Sequence, residues 1–218
     1  MNSATHVRCI LLFILYFIPN GLLLAQDSIR IACVGDSITY GYGLINRENS
    51  YPGMLDHKLT EDYRIVNFGV NSACGSSGFS DSYDRNGMIE RIQDWDPDVI
   101  LFMLGSNDSK EKYWVDRDYY ISGCKGILES IKSKETRVVI MLPIPSWYNI
   151  YGIRNNVVQD KIQPALLQYS KENNYQIIDF TEKLKHKPYL YIDNVHPNRW
   201  GYDIISNTIV EFIEDWTQ

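Results

Sequence analysis

The sequence predicts a three-layer α/β sandwich of flavodoxin-like type around a five-stranded parallel sheet. Apolar runs recur along the chain with helix-periodic segments between them. Most of these runs are continuous rather than alternating, which marks strands buried on both faces. No repeat, low-complexity stretch or linker divides the chain, so the five β–α alternations belong to one domain.

The first strand is expected over Ile29 to Gly35, followed by a helix near Tyr51–Leu59. The second runs from Tyr63 to Gly69 and precedes a helix over Asn86–Trp95. Val99 to Gly105 is the third, with a helix over Asp116–Lys132. Arg137 to Pro143 is the fourth, with a long helix over Asn155–Asn173. Tyr175 to Phe180 is the last, and Arg199–Trp216 closes the chain as a helix.

Residues 1–25 do not read as part of that domain. Arg8 supplies a basic start, Ile10 to Ile18 is continuously apolar, and Leu22-Leu23-Leu24-Ala25 ends on a small residue. This is the layout of a secretory signal cleaved after Ala25, with residues 26–218 forming the mature domain. The apolar stretch is interrupted by Pro19-Asn20-Gly21 and falls short of the roughly 20 residues that span a bilayer. A secreted or periplasmic protein with no membrane attachment after cleavage is therefore expected. No cysteine lies near residue 26 to carry a lipid.

The whole chain of 218 residues has a formal charge of −6, and loss of the leader removes Arg8. No Lys/Arg-rich run stands out, which argues against a nucleic-acid partner. Cys33 sits in the first strand and reads as a small buried hydrophobe. Cys74 and Cys124 can pair in an oxidising compartment, although the odd count of three cysteines in the expected mature chain and the absence of Cys-x-x-Cys spacing leave pairing open. Nothing in the chain calls for a metal or a cofactor.

In a sheet of this kind the loops after the strands gather on one edge, where ligands bind. Gly35-Asp36-Ser37-Ile38-Thr39 follows the first strand, and Asp193-Asn194-Val195-His196-Pro197 precedes the last helix. Alone, the first string is an ordinary turn and the second an ordinary helix N-cap. Together they supply a serine, an imidazole base and a carboxylate to orient that base. Asn107, in the turn after the third strand, is a candidate donor to a developing oxyanion. Its other reading is a turn residue bonded to its own backbone.

With these residues in place, the chain resembles the SGNH (GDSL-type) hydrolases over essentially the whole mature sequence. The first block is similar to Gly35-Asp36-Ser37-Ile38, the third to Gly105-Ser106-Asn107-Asp108, and the last to Asp193-Asn194-Val195-His196-Pro197. The resemblance implies Ser37 as nucleophile, His196 as base and Asp193 as its partner. It also implies oxyanion donors from the Ser37 backbone and the Asn107 amide. The second block departs from the family pattern: five residues after Asn67 stands Ser72, where glycine is usual, while Gly69 lies earlier and Gly75 needs an insertion. Ser72 can donate its N–H if its backbone angles are ordinary for an L-residue. The Ser…Asp…His order also occurs in α/β-hydrolases, but those carry Gly-x-Ser-x-Gly, and Thr39 stands two residues after Ser37 here.

Trp147, Tyr148 and Tyr151 crowd the loop after the fourth strand, with Tyr113 and Trp114 after the third. They read either as faces for a sugar ring or as space-filling residues beneath the loops. No long apolar run outside the strands suggests a lipase lid. Among relatives, the strings Asn67 to Asn71 and Gly105 to Lys110 look like those of bacterial carbohydrate acetylesterases. The expected activity is thus hydrolysis of short acyl esters, acetyl above all, on an acylated carbohydrate. The alternatives are a lipase, lysophospholipase or thioesterase on the same residues, and a glycan-binding module that retains the fold.

Overall fold

The computed structural model describes residues 28–216, so the expected leader lies outside the described residues. Strands β1 (Ile29–Gly35) and β2 (Tyr63–Gly69) have the bounds expected from the sequence. The other three, β3 (Val99–Met103), β4 (Arg137–Met141) and β5 (Gln176–Ile178), end earlier than their apolar runs. All neighbours pair in parallel, in the order β2-β1-β3-β4-β5. β1 is flanked on both sides, and the turn after it opens near the middle of the sheet edge.

The helices in chain order are α1 (Ser37–Tyr40), α2 (Tyr51–Lys58), α3 (Met88–Trp95) and α4 (Arg117–Ile131). They continue with α5 (Asn155–Val157), α6 (Gln163–Asn173), α7 (Thr181–Leu184) and α8 (Arg199–Glu214). No described helix is long and apolar enough to cross a membrane. Because successive strand side chains point to opposite faces, each central strand serves two cores. Ile31, Cys33, Leu101 and Val139 face α2 and α8, where they meet Tyr51, Leu55, Tyr202 and Ile205. Ala32, Val34, Ile100 and Phe102 face the other way, against Ile92, Tyr120, Leu128 and Leu166. This double burial is the reason the strands read as unbroken apolar runs.

Two departures from the expected elements have local causes. The long helix over residues 155–173 is divided by a π-helical stretch, Val158–Ile162. Pro164 lies two residues after its end, in the first turn of α6. A proline has no N–H for the carbonyl four residues back, so the ladder must widen there. The single turn α1 carries no amphipathic signal; it exists because the Asp36 side chain accepts from the Ile38 N–H at 2.9 Å and Gly41, at φ 86°, ends it.

Cys33 is fully buried, and Cys74 and Cys124 are free. The Cys74 thiol turns to the Ser76 carbonyl at 3.5 Å, whereas the Cys124 sulfur lies against Gly75. The two sulfurs thus face different neighbours, and the pairing left open by the sequence is not formed.

α4 approaches the loop after β2 through Gly123. A Cβ there would stand 2.3 Å from the Gly75 carbonyl oxygen and 2.8 Å from the Ser77 nitrogen. Gly123→Ala should therefore destabilise the fold by about 1–3 kcal/mol through overpacking. On the same helix a Cβ on Gly126 meets nothing within 4 Å, so Gly126→Ala should stabilise by about 0.5–1 kcal/mol through helix propensity. Urea midpoints of the two variants check the opposite signs.

Candidate active site

Ser37 is the first residue of α1, so its side chain stands at the mouth of the turn that closes β1. The Ser37 Oγ lies 2.8 Å from His196 Nε2, although the residues are 159 positions apart. His196 Nδ1 lies 2.8 Å from Asp193 Oδ2. The other carboxylate oxygen, Oδ1, accepts the backbone N–H groups of Val195 (3.1 Å) and His196 (2.8 Å). Burial raises the Asp193 pKa, but the hydrogen bonds and charge offered by His196 outweigh it and leave the pKa below its ordinary value. An ionised carboxylate can only accept. Nδ1 therefore carries the ring proton, and the Nε2 lone pair faces the Ser37 hydroxyl.

Three N–H groups converge near this serine. The Asn107 side-chain amide donates one hydrogen to the Ala73 carbonyl at 3.0 Å, which fixes the amide plane and leaves its second hydrogen uncommitted. Neither the Ser37 nor the Ser72 backbone N–H donates to any other described residue. The loop bearing Ser72 is tied down by Asp108, whose carboxylate accepts from the Gly75 and Ser76 N–H groups at 2.9 and 2.7 Å and from the Ser76 hydroxyl at 2.7 Å. Burial pushes the Asp108 pKa up, and these donated bonds pull against it.

Ser72 does not have ordinary angles. Its φ is 64°, in the left-handed region that favours glycine. The condition set from sequence thus fails, and the reason is visible: this position takes the backbone conformation that the usual glycine accommodates without a Cβ penalty. Ser72 nonetheless lines the cavity that holds Ser37, with its N–H uncommitted. Gly69 and Gly75 do not compete for that place. Gly69 N–H donates to Asn67 Oδ1 at 2.8 Å, and Gly75 N–H is held by Asp108.

Ser37, Ser72, Asn107 and His196 share one cavity of about 150 Å³, whose lining also includes Tyr42 and Tyr151. Larger concavities at Arg30 and at Arg47 contain no serine paired with a base. Of the aromatic residues expected to meet substrate, only Tyr151 lines the cavity. Its hydroxyl donates to Asp193 Oδ2 at 3.2 Å, and its ring lies 5.9 Å from the imidazole. Trp147 packs instead against the core, edge-on to Tyr191, and Tyr148 projects into solvent at 83% exposure. Tyr113 is buried and Trp114 packs on the second core.

Sequence reasoning missed Tyr42, whose ring centroid is 4.6 Å from that of His196. It lies between Gly41 and Gly43, both at positive φ, in the loop that leaves Ser37. Two glycines bracketing an aromatic residue beside the serine were the available signal. Lys110, Asn71 and Ile153 complete the lining and were also missed.

Directly below Ser37, Asp36 is fully buried. Burial pushes its pKa up to about 7, against the Ile38 hydrogen bond, with the Asp108 charge adding to the rise. The folded state thus holds this proton more tightly than the unfolded chain. Its stabilising contribution is complete below the unfolded pKa near 4 and is lost as pH rises through about 7. Asp36→Asn keeps an acceptor for Ile38 and removes the charge. It should therefore be more stable than the parent by about 1–3 kcal/mol at pH 8, with the gap closing near pH 4. Denaturant titrations of both proteins at the two pH values check it.

The GDSL-like lipase/acylhydrolase family matches residues 33–204. An acetylxylan esterase from Xylanibacter ruminicola is 26% identical over 210 residues, covering 87% of this chain and 44% of that protein. The chain thus spans less than half the length of this curated relative. Among solved structures, a member of the lipolytic G-D-S-L family from Veillonella parvula is 26% identical, with a TM-score of 0.66 over 84% of this chain and 97% of its own. A carbohydrate acetylesterase family member from Sinorhizobium meliloti shares the fold at a TM-score of 0.66 and 20% identity, over 85% and 97% of the two chains.

Proposed function

The chain belongs to the GDSL-like lipase/acylhydrolase family, and from that premise we propose that it is a serine esterase releasing short acyl groups, acetyl above all, from carbohydrate. The observation that carries this reading is the relay from Ser37 Oγ through the His196 ring to Asp193, with both contacts at 2.8 Å. Ser37 Oγ attacks the ester carbonyl while its proton passes to His196 Nε2. The oxyanion that forms is met by the N–H groups of Ser37, Ser72 and Asn107. Collapse breaks the bond to the sugar oxygen, which takes the proton back from His196. Water then repeats the sequence on the acyl-serine, and the acid is released.

The cavity beside Ser37 suits a small acyl group. About 150 Å³ is the size of hole that holds a single benzene ring, which is room enough for an acetyl group. A lipase, lysophospholipase or thioesterase would need an acyl channel beyond it. The carbohydrate is supported by the acetylxylan esterase relative and by the exposed rings of Tyr42 and Tyr151, which flank the imidazole. Aromatic rings of this kind suit the apolar faces of a sugar. The apolar leader expected over residues 1–25 supports export.

Acetate release from acetylated xylan, alongside a series of p-nitrophenyl esters, tests the reading. Acetate and butyrate esters should turn over faster than octanoate, whereas a preference for octanoate points to a lipid substrate. Asn107→Ala should lower kcat by roughly 10²–10³ with little change in KM, because the amide acts on charge present only in the transition state. A rise in KM with kcat intact would assign Asn107 to ground-state binding.

A further inference from the structure

Lys110 is the one cationic side chain in the cavity lining, and no Asp or Glu lines it. Its backbone N–H caps the turn of Asn107–Ser109 by donating to the Asn107 carbonyl at 3.0 Å, which fixes the residue beside the Asn107 amide. The stem passes Gly152, where an added Cβ would lie 3.9 Å from Lys110 Cγ. Among the described residues no carboxylate lies within ion-pair distance of its Nζ. The nearest acids are committed elsewhere. Asp81 is bound by Lys112 and by the Tyr113 hydroxyl, and Asp36 is buried beneath Ser37. Partial burial, with Lys112 adding repulsion, lowers the Lys110 pKa. The more distant attraction of Asp36 and Asp81 pulls the other way without offsetting it, so the charge has lost water without gaining an ion-pair partner. Arg154, next to Ile153 of the lining, is likewise outside every ion pair and holds the Ser109 carbonyl through Nε.

The chain as a whole is acidic, at −6, and would repel an anionic ligand elsewhere on its surface. A half-buried, unpaired ammonium on the wall of the reacting cavity reverses that sign locally. Building on the esterase reading, we propose that Lys110 receives a carboxylate on the sugar half of the substrate, so that the preferred ester is an acetylated acidic sugar of the uronic acid class. The acetyl half carries no charge, which leaves the alcohol half to supply the anion. A carboxylate beside Nζ forms a charge-assisted hydrogen bond where water has been partly excluded.

The test compares acetylated oligogalacturonate with its methyl ester, which has the same sugar and acetyl groups without the charge. The parent enzyme should favour the free acid by about tenfold in kcat/KM, chiefly through KM, as for a hydrogen bond to a charged group. Lys110→Met should bring the ratio close to one, and added salt should narrow it in the parent. A parent ratio near one overturns the proposal, as does a ratio that survives Lys110→Met. An equal fall in kcat on both substrates would assign Lys110 to the reacting oxygen and also overturn it. Calorimetric titration of Ser37→Ala with deacetylated digalacturonate and its methyl ester reads the preference without turnover. Selective binding of the acid by a protein that hydrolyses no ester would sink the esterase reading and leave the anion site standing. Turnover of both substrates with no preference in either measurement would do the reverse.

Discussion

The 2.8 Å approach of Ser37 to His196 is the constraint on which the remainder of the site depends, because it must be held across 159 residues of chain. Neither residue is secured by its own short turn alone. On one side, the Ser37 turn is anchored to β2 by Asn67, whose amide donates to the Thr39 carbonyl at 2.8 Å, and to α2 by the contact of Thr39 with Tyr51. On the other, His196 leads directly into α8, whose Tyr202 hydroxyl donates to the Ile38 carbonyl at 2.8 Å. Asn198 caps α8 by accepting the N–H groups of Trp200 and Gly201. The proposed base therefore enters the site on a helix that is itself bonded to the turn of the proposed nucleophile. Gly69 permits the close approach of β2 to that turn, since a Cβ there would fall 2.2 Å from the Tyr40 nitrogen.

Three carboxylates do different work within this frame. Asp193 is partly exposed and takes two backbone N–H groups on one oxygen, so it stays ionised and orients the imidazole. Asp108 is fully buried and staples the loop after β2 to the turn after β3, which sets Ser72 opposite Asn107. Asp36 caps α1 and bears a desolvation cost directly beneath the serine. Ser72 adds backbone strain at the same edge. Cost of both kinds thus gathers at the strand ends, while the strands beneath are apolar and unstrained, which is the distribution expected where a scaffold holds a reacting site.

The central strands were legible in the sequence because burial on both faces leaves a continuous apolar run, which for β1 ends at Gly35. The edge strand β2 is only partly buried and is marked by its apolar residues up to Gly69. Ser37, Asn107, Asp193 and His196 were legible because strand ends in a parallel sheet share one edge, so their convergence follows from topology. What remained hidden depends on loop conformation. Cys74 and Cys124 are close in the fold, but only the loop path around Gly75 shows that their sulfurs turn apart. Trp147 and Tyr151 stand four residues apart in one aromatic loop, yet one fills the core and the other bonds Asp193. The positive φ of Tyr148, Asn149 and Tyr151 turns the loop between them, and residue type alone does not predict such a run. Lys110 reads as an ordinary surface lysine until the turn of Asn107–Ser109 places it on the cavity wall.

The proposed chemistry stands or falls on Ser37 being a nucleophile made reactive by His196. Its most direct test is labelling with a fluorophosphonate, followed by mass spectrometry of the digested protein, in the parent and in His196→Ala. One adduct per chain is expected, carried by the peptide containing Ser37, with labelling slowed by orders of magnitude when the imidazole is removed. An adduct on a different residue, or undiminished labelling of Ser37 without His196, would contradict it.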